Sequence, residues 1–158
     1  MGLTLESTTN GDGVRALVGR AKPSGVKVGV LSGTGSHPNS KETLIAEVAF
    51  YNEFGTKVDG EERIEARPFL RTALRENKRA YALLMRKLLK ALLLGRVSVK
   101  RAQDMIGVKA VDDIQKKIVD IKTPENKAST LAKKKPKTNP LIEDGFLRGA
   151  INYQGIKV

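Results

Sequence analysis

The stretch from Ala46 to Arg71 constrains the whole chain, because two of its residues punctuate the backbone in opposite senses. Gly55 can stop a helix: lacking Cβ, it takes the left-handed conformation that caps a C-terminus. Pro68 can start one, since its missing N–H has no intrahelical partner in a first turn and its φ is already near helical. A helix is therefore expected over Thr43 to Phe54, with Leu44, Val48 and Tyr51 on one face and Phe54 packed as core at its end. A second is expected from near Pro68 to about Leu94, where Gly95 offers a stop. Between them, Lys57, Asp59, Glu61, Glu62, Arg63 and Glu65 make a polar loop that faces solvent or a partner.

The second helix is the longest element. At about 100° per residue, Leu70, Leu74, Tyr81, Leu84, Met85, Leu88 and Leu92 share one arc, while Arg71, Arg75, Lys78, Arg79, Arg86 and Lys90 share another. One face is core; the other is a basic stripe able to contact phosphates, because cationic groups neutralise backbone charge whatever the bases are. No aromatic residue interleaves the stripe, which argues against single-strand stacking recognition. Ser98 is the candidate N-cap of a further helix reaching about Ile121. Its apolar side shifts from Val99, Ala102 and Ile106 to Val111, Ile114 and Ile118, with a kink expected at Gly107.

Strands are fewer. Val26, Val28 and Val30 alternate with Lys27 and Gly29, the period-2 pattern of a strand with one buried face. A final strand through Ile151 and Tyr153, after a turn at Asp144-Gly145, is expected to pair with it. Two strands do not make an independently stable sheet, so either a third lies near Ile64 or neighbouring subunits complete the sheet. The fold class expected is α+β, a small antiparallel sheet packed against long helices with extended loops or arms. Residues 1–13 read as a flexible arm and residues 14–158 as a single domain, with an extended basic loop at 122–139 that includes Lys133, Lys134 and Lys135.

Composition narrows the chemistry. There is no cysteine, and the single His37 lies in the Gly/Ser/Thr-rich stretch Ser32 to Ser40, read as an exposed loop that lacks the Gly-Lys-Ser/Thr ending of a phosphate cradle. With no Ser/His/Asp set, no metal cluster and no cofactor motif, no enzyme is expected; catalytic, cofactor and metal residues are none. No stretch approaches the roughly 18 apolar residues of a membrane span, so a soluble protein without a membrane partner is expected. Residues 1–66 hold 7 basic and 9 acidic groups, residues 67–122 hold 15 and 5, and residues 123–158 hold 7 and 3, so the net charge of +12 belongs to the second half. That asymmetry suggests a polyanionic neighbour, either nucleic acid or an acidic protein surface.

Asn52-Glu53-Phe54-Gly55-Thr56, followed at a short interval by Arg67-Pro68-Phe69-Leu70-Arg71, resembles the signature of the head–tail connector and tail-completion (neck) proteins of long-tailed bacteriophages. Pro140-Leu141-Ile142-Glu143-Asp144-Gly145-Phe146-Leu147-Arg148 resembles the second signature of that family, with Asp144 where a Thr is usual, and Ser129-Thr130-Leu131 with Lys133 is similar to its Ser-Thr-x-x-x-Lys stretch. The resemblance implies a structural virion protein, assembled in the host cytoplasm and placed in the neck between head and tail. Its implied partners are itself as a ring, a hexamer or a multiple of six, the portal or connector protein, and the tail tube or tail-terminator protein, with genomic DNA in the ring channel. The implied contact residues are Asn52 to Thr56, Arg67, Pro68, Phe69, Arg71, Lys133 to Lys135, Leu141, Ile142, Asp144, Gly145, Leu147 and Arg148. The alternative is a basic nucleic-acid-binding protein that uses Arg71, Arg75, Lys78, Arg79, Arg86 and Lys90 together with the lysine-rich arm.

Overall fold

The computed structural model describes residues 24–37, 40–134, 139–142 and 145–157; the expected N-terminal arm, Lys135 and Asp144 lie outside them. In chain order the elements are β1 (Ser24–Val30), β2 (Ser36–His37), β3 (Ser40–Leu44), α1 (Ile45–Phe54), β4 (Thr56–Val58) and β5 (Glu61–Ile64). There follow α2 (Leu70–Glu76), α3 (Lys78–Leu93), α4 (Val99–Asp120), α5 (Ala128–Lys134), α6 (Phe146–Gly149) and β6 (Ile151–Lys157). The fold is α+β.

The valine alternation makes β1, which pairs antiparallel with β6, Val28 opposite Tyr153 and Val30 opposite Ile151. Beneath this ribbon lies α4, the central element, whose Ile114 and Ile118 are fully buried. They pack in one cluster with Ala49, Phe69, Ala73, Leu141, Leu147 and Ile151. Two contacts fix the sheet on the helix. The Gln103 amide donates to the carbonyls of Gly25 and Ile156 at 3.0 and 2.9 Å, one from each strand. Gly107 leaves room for the Tyr153 ring, for a Cβ there would sit 2.1 Å from Tyr153 Cδ2. Gly107 is therefore a packing residue, and α4 runs unbroken through it.

The helix ends follow local chemistry. Ser98 Oγ accepts from the Arg101 N–H at 3.2 Å, the expected N-cap. At the end of α3 the Gly95 N–H donates to Leu92 O and the Arg96 N–H to Ala91 O, with Gly95 at φ +66°, a Schellman motif. Several expectations are corrected. The helix expected from Thr43 begins at Ile45, because residues 40–44 pair with β2 and Glu47 accepts the Leu44 N–H only where the chain turns helical. The stretch Ser32 to Ser40 is thus part hairpin rather than all loop, with His37 in β2. The helix expected from Pro68 starts at Leu70 and is interrupted at Asn77, whose side-chain amide and backbone N–H both donate to Ala73 O. Short polar side chains compete with the helix ladder in this way.

The expected loop over Lys57 to Glu65 is the β4–β5 hairpin, turned by Asp59 and Gly60 at φ +51° and +82°. Two successive positive φ values at Asp-Gly give the turn whose twist matches paired strands. The strand near Ile64 exists, but it pairs with β4 and not with the β1–β6 ribbon. Within 122–139, residues Ala128–Lys134 are helical, so that region is not one continuous loop. Met85, placed with the core arc by its spacing, is 48% exposed.

Candidate functional site

The paired motifs around Gly55 and Pro68 come together as one bracket. Glu53, at the end of α1, is 4% exposed. Its carboxylate accepts the backbone N–H of Leu70 at 2.9 Å and of Arg71 at 3.0 Å, satisfying donors that the first turn of α2 leaves without intrahelical partners. Arg71 closes the exchange: its Nε lies 3.3 Å from the same carboxylate and its Nη2 donates to the Glu53 carbonyl at 2.8 Å. A negative charge at a helix N-terminus also meets the positive end of the helix dipole.

Arg67 is the second half of the bracket. Its N–H donates to Asn52 O at 2.6 Å, while Nε and Nη2 reach the carbonyls of Pro124 and Glu125 at 2.8 and 2.9 Å. Arg67 thereby joins the end of α1, through its backbone N–H, to the segment that follows α4, through its guanidinium. Burial pushes the Arg67 pKa down and the neighbouring Glu65 charge opposes it. Gly55 makes the approach possible: its φ is +75°, and a Cβ would lie 2.8 Å from Ile64 O and 3.1 Å from Ala66 N. Asn52 donates its side-chain amide to Val48 O, and Thr56 Oγ1 is buried without a hydrogen-bond partner among the described residues.

Burial divides the other residues singled out by sequence. Phe69, Leu141 and Leu147 are 2%, 6% and 7% exposed and belong to the core, so these three, like Glu53 and Arg67, hold the fold together from inside instead of presenting a contact surface. Pro68 and Ile142 are half-buried, Arg148 is exposed, and Gly145 sits at φ +80° before α6. Lys133 and Lys134 fall in α5.

Phe54 is not core, as its place at the helix end had suggested. It is 56% exposed, stacked 4.8 Å from Phe50, itself 58% exposed, with the Arg71 guanidinium 4.9 Å above its ring. The ring leans on the bracket instead of entering the core. The two phenylalanines border a hollow of about 190 Å³ lined also by Val30, Phe69 and Leu70.

The basic stripe is on the surface: Arg71, Arg75, Lys78, Arg79, Arg86 and Lys90 are all exposed. Of these, Arg71 alone is in an ion pair with a described residue. Large apolar side chains stand among them, with Leu83, Leu89 and Leu94 respectively 58%, 49% and 45% exposed. Periodicity does not reveal this, because leucines lie on several sides of α3 while Tyr81 and Leu88 are its buried side chains and Leu84 and Leu92 are half-buried.

Tyr81 anchors α3 to α4 through a buried polar group. Its hydroxyl donates to Asp113 Oδ2 at 2.8 Å, and Lys109 Nζ meets both oxygens of the same carboxylate. Burial first, then the hydrogen bond and charge of Asp113, push the Tyr81 pKa up. Lys109 balances the charge of Asp113, and none of the three side chains lines the hollow beside Phe50 and Phe54. Among the described residues no group of His, Asp and Glu side chains is placed to hold a metal ion, and no helix is long and apolar enough to cross a membrane.

No family model, curated protein or solved structure matches the chain.

Proposed function

We propose that the protein is a structural subunit of a bacteriophage neck, a head–tail connector or tail-completion protein that works by assembling into a ring and performs no catalysis. The observation that carries the reading is the pair of exposed apolar surfaces, Phe50 and Phe54 on α1, and Leu83 on α3 with Leu94 at its C-terminal cap. Apolar surface of this kind is stabilised by burial against another protein. The ordered motif set supports it too: its residues build a rigid bracket that fixes how α1 is presented beside α2. In the ring reading the portal or connector and the tail are the further partners, and the site of action is the virion.

A second reading, a nucleic-acid-binding protein, is favoured by one observation: Arg75, Lys78, Arg79, Arg86 and Lys90 are exposed and without ion pairs to described residues. The interleaved leucines weigh against it, since phosphates offer them nothing to bury against. The mass of the purified protein in solution, by light scattering at moderate and high salt with and without double-stranded DNA, separates the two. The ring reading expects a discrete closed oligomer without DNA. A monomer that changes only when DNA is added, with binding falling steeply as salt rises, favours the second reading.

A further inference from the structure

We propose that the outer face of α3 is the seat for the β4–β5 hairpin of a second copy of this chain, so that subunits join head to tail. The inference rests on the ring reading above and names the contact that would make the ring.

Arg79, Leu83, Arg86, Lys90 and Leu94 recur at helical spacing along one side of α3, and all five are exposed. Leu83 and Leu94 are 58% and 45% exposed, so the stripe sets two apolar side chains among three cations. Over residues 70–97 there are eight basic residues and one acidic. A partner for such a face presents an apolar side chain framed by carboxylates.

The same chain carries that partner. The β4–β5 hairpin exposes Val58 at 47%, with Asp59 and Glu61 beside it on the exposed turn. Over residues 56–65 there are four acidic residues and two basic. Neither Asp59 nor Glu61 is in an ion pair with a described residue, and neither are Arg79, Arg86 and Lys90. The turn is held at φ +51° and +82° and its base is fixed by the Gly55–Arg67 bracket, so the tip is presented with little freedom left to lose. Complementary charge on two different patches of one molecule makes a heterologous contact, which closes into a ring or runs on as a filament. The like-charged alternatives, hairpin on hairpin or helix on helix, are repelled.

Charge reversal tests this with full-length protein by sedimentation at low and high salt. One variant carries Asp59→Asn and Glu61→Lys; the other carries Arg79→Glu, Arg86→Glu and Lys90→Glu. All five sites are exposed, and unchanged thermal midpoints confirm that both variants fold. Each variant alone is expected to self-associate at least about tenfold more weakly than wild type, and an equimolar mixture to recover assembly, because every contact in an alternating array is again opposite in charge. Wild type that assembles while both variants assemble equally well overturns this contact and leaves the ring reading standing. Two weakened variants whose mixture does not recover also overturn it. Wild type that stays monomeric throughout, or assembles only on added double-stranded DNA, overturns the contact and the ring reading together.

Discussion

Glu53 accepts two backbone N–H groups seventeen and eighteen residues along the chain, and that choice of partner explains why a charged residue can be 4% exposed. A carboxylate bonded to N–H donors and a guanidinium is compensated; an amide is less so. Glu53→Gln is expected to destabilise the protein by about 1–3 kcal/mol, read as a lower midpoint in urea, because the charge-assisted bonds to Leu70 and Arg71 weaken inside the fold. Gly55→Ala is expected to cost about 1–3 kcal/mol through its positive φ, and more through the contact of Cβ with Ile64 O. Thr56 runs the other way. Its Oγ1 is buried with no partner among the described residues, so Thr56→Val should be neutral or stabilising by up to about 1 kcal/mol; a loss of that size would mean the hydroxyl has a partner. Gly55 was legible as a stop because freedom to take a positive φ is a local property, although at φ +75° and ψ 172° it leaves the helix extended and not as the left-handed helical cap expected. Glu53 as a cap was not, since its donors belong to a helix whose position the local sequence does not state.

Elements were legible where periodicity and punctuation agreed. The valine alternation of β1, the Ser98 cap and the Gly95 stop each depend on neighbours within a few residues, and each is present. The β4–β5 hairpin escaped notice because three- and four-residue strands with mostly polar side chains carry no hydrophobic period; its Asp59-Gly60 turn was the signal available. The weak attachment of α3 was equally hidden, because leucines on both sides of a helix do not say which side finds a neighbour. What attaches it is Tyr81 on Asp113, and this gives a pH dependence. The Tyr81 pKa is raised by folding, so the folded state keeps its proton after the unfolded chain has lost its own. Stability from this group is complete below about pH 10, the unfolded value, and falls as pH rises above it. Thermal midpoints measured from pH 8 upward should therefore fall more steeply above about pH 10 for wild type than for Tyr81→Phe. At neutral pH the variant should lose about 1 kcal/mol, the net worth of the hydrogen bond. Parallel curves above pH 10 would show that Tyr81 is not protected.

At the scale of the molecule, interior and surface phenylalanines separate folding from assembly. Phe69 is 2% exposed within the cluster around Ile114 and Ile118, and Phe69→Ala should cost about 3–5 kcal/mol of stability. Any loss of self-association in that variant then follows from lost subunits, which makes it a poor probe of an interface although its motif suggests one. Phe50 is 58% exposed and touches the rings of Tyr51 and Phe54, so Phe50→Ser should change stability by only about 0.5 kcal/mol. If the α1 face is buried between subunits, the same substitution removes apolar contact worth roughly 1.5–3 kcal/mol per contact, about ten- to a hundredfold in the association constant. Denaturation midpoint and sedimentation mass on one sample read both quantities. Unchanged mass for Phe50→Ser would remove α1 from the assembly surface and leave the outer face of α3 and the hairpin to carry it. Reduced mass with an unchanged midpoint would place the α1 face in a contact between copies of the chain, in addition to any contact that the charge-reversal variants assign to α3 and the hairpin.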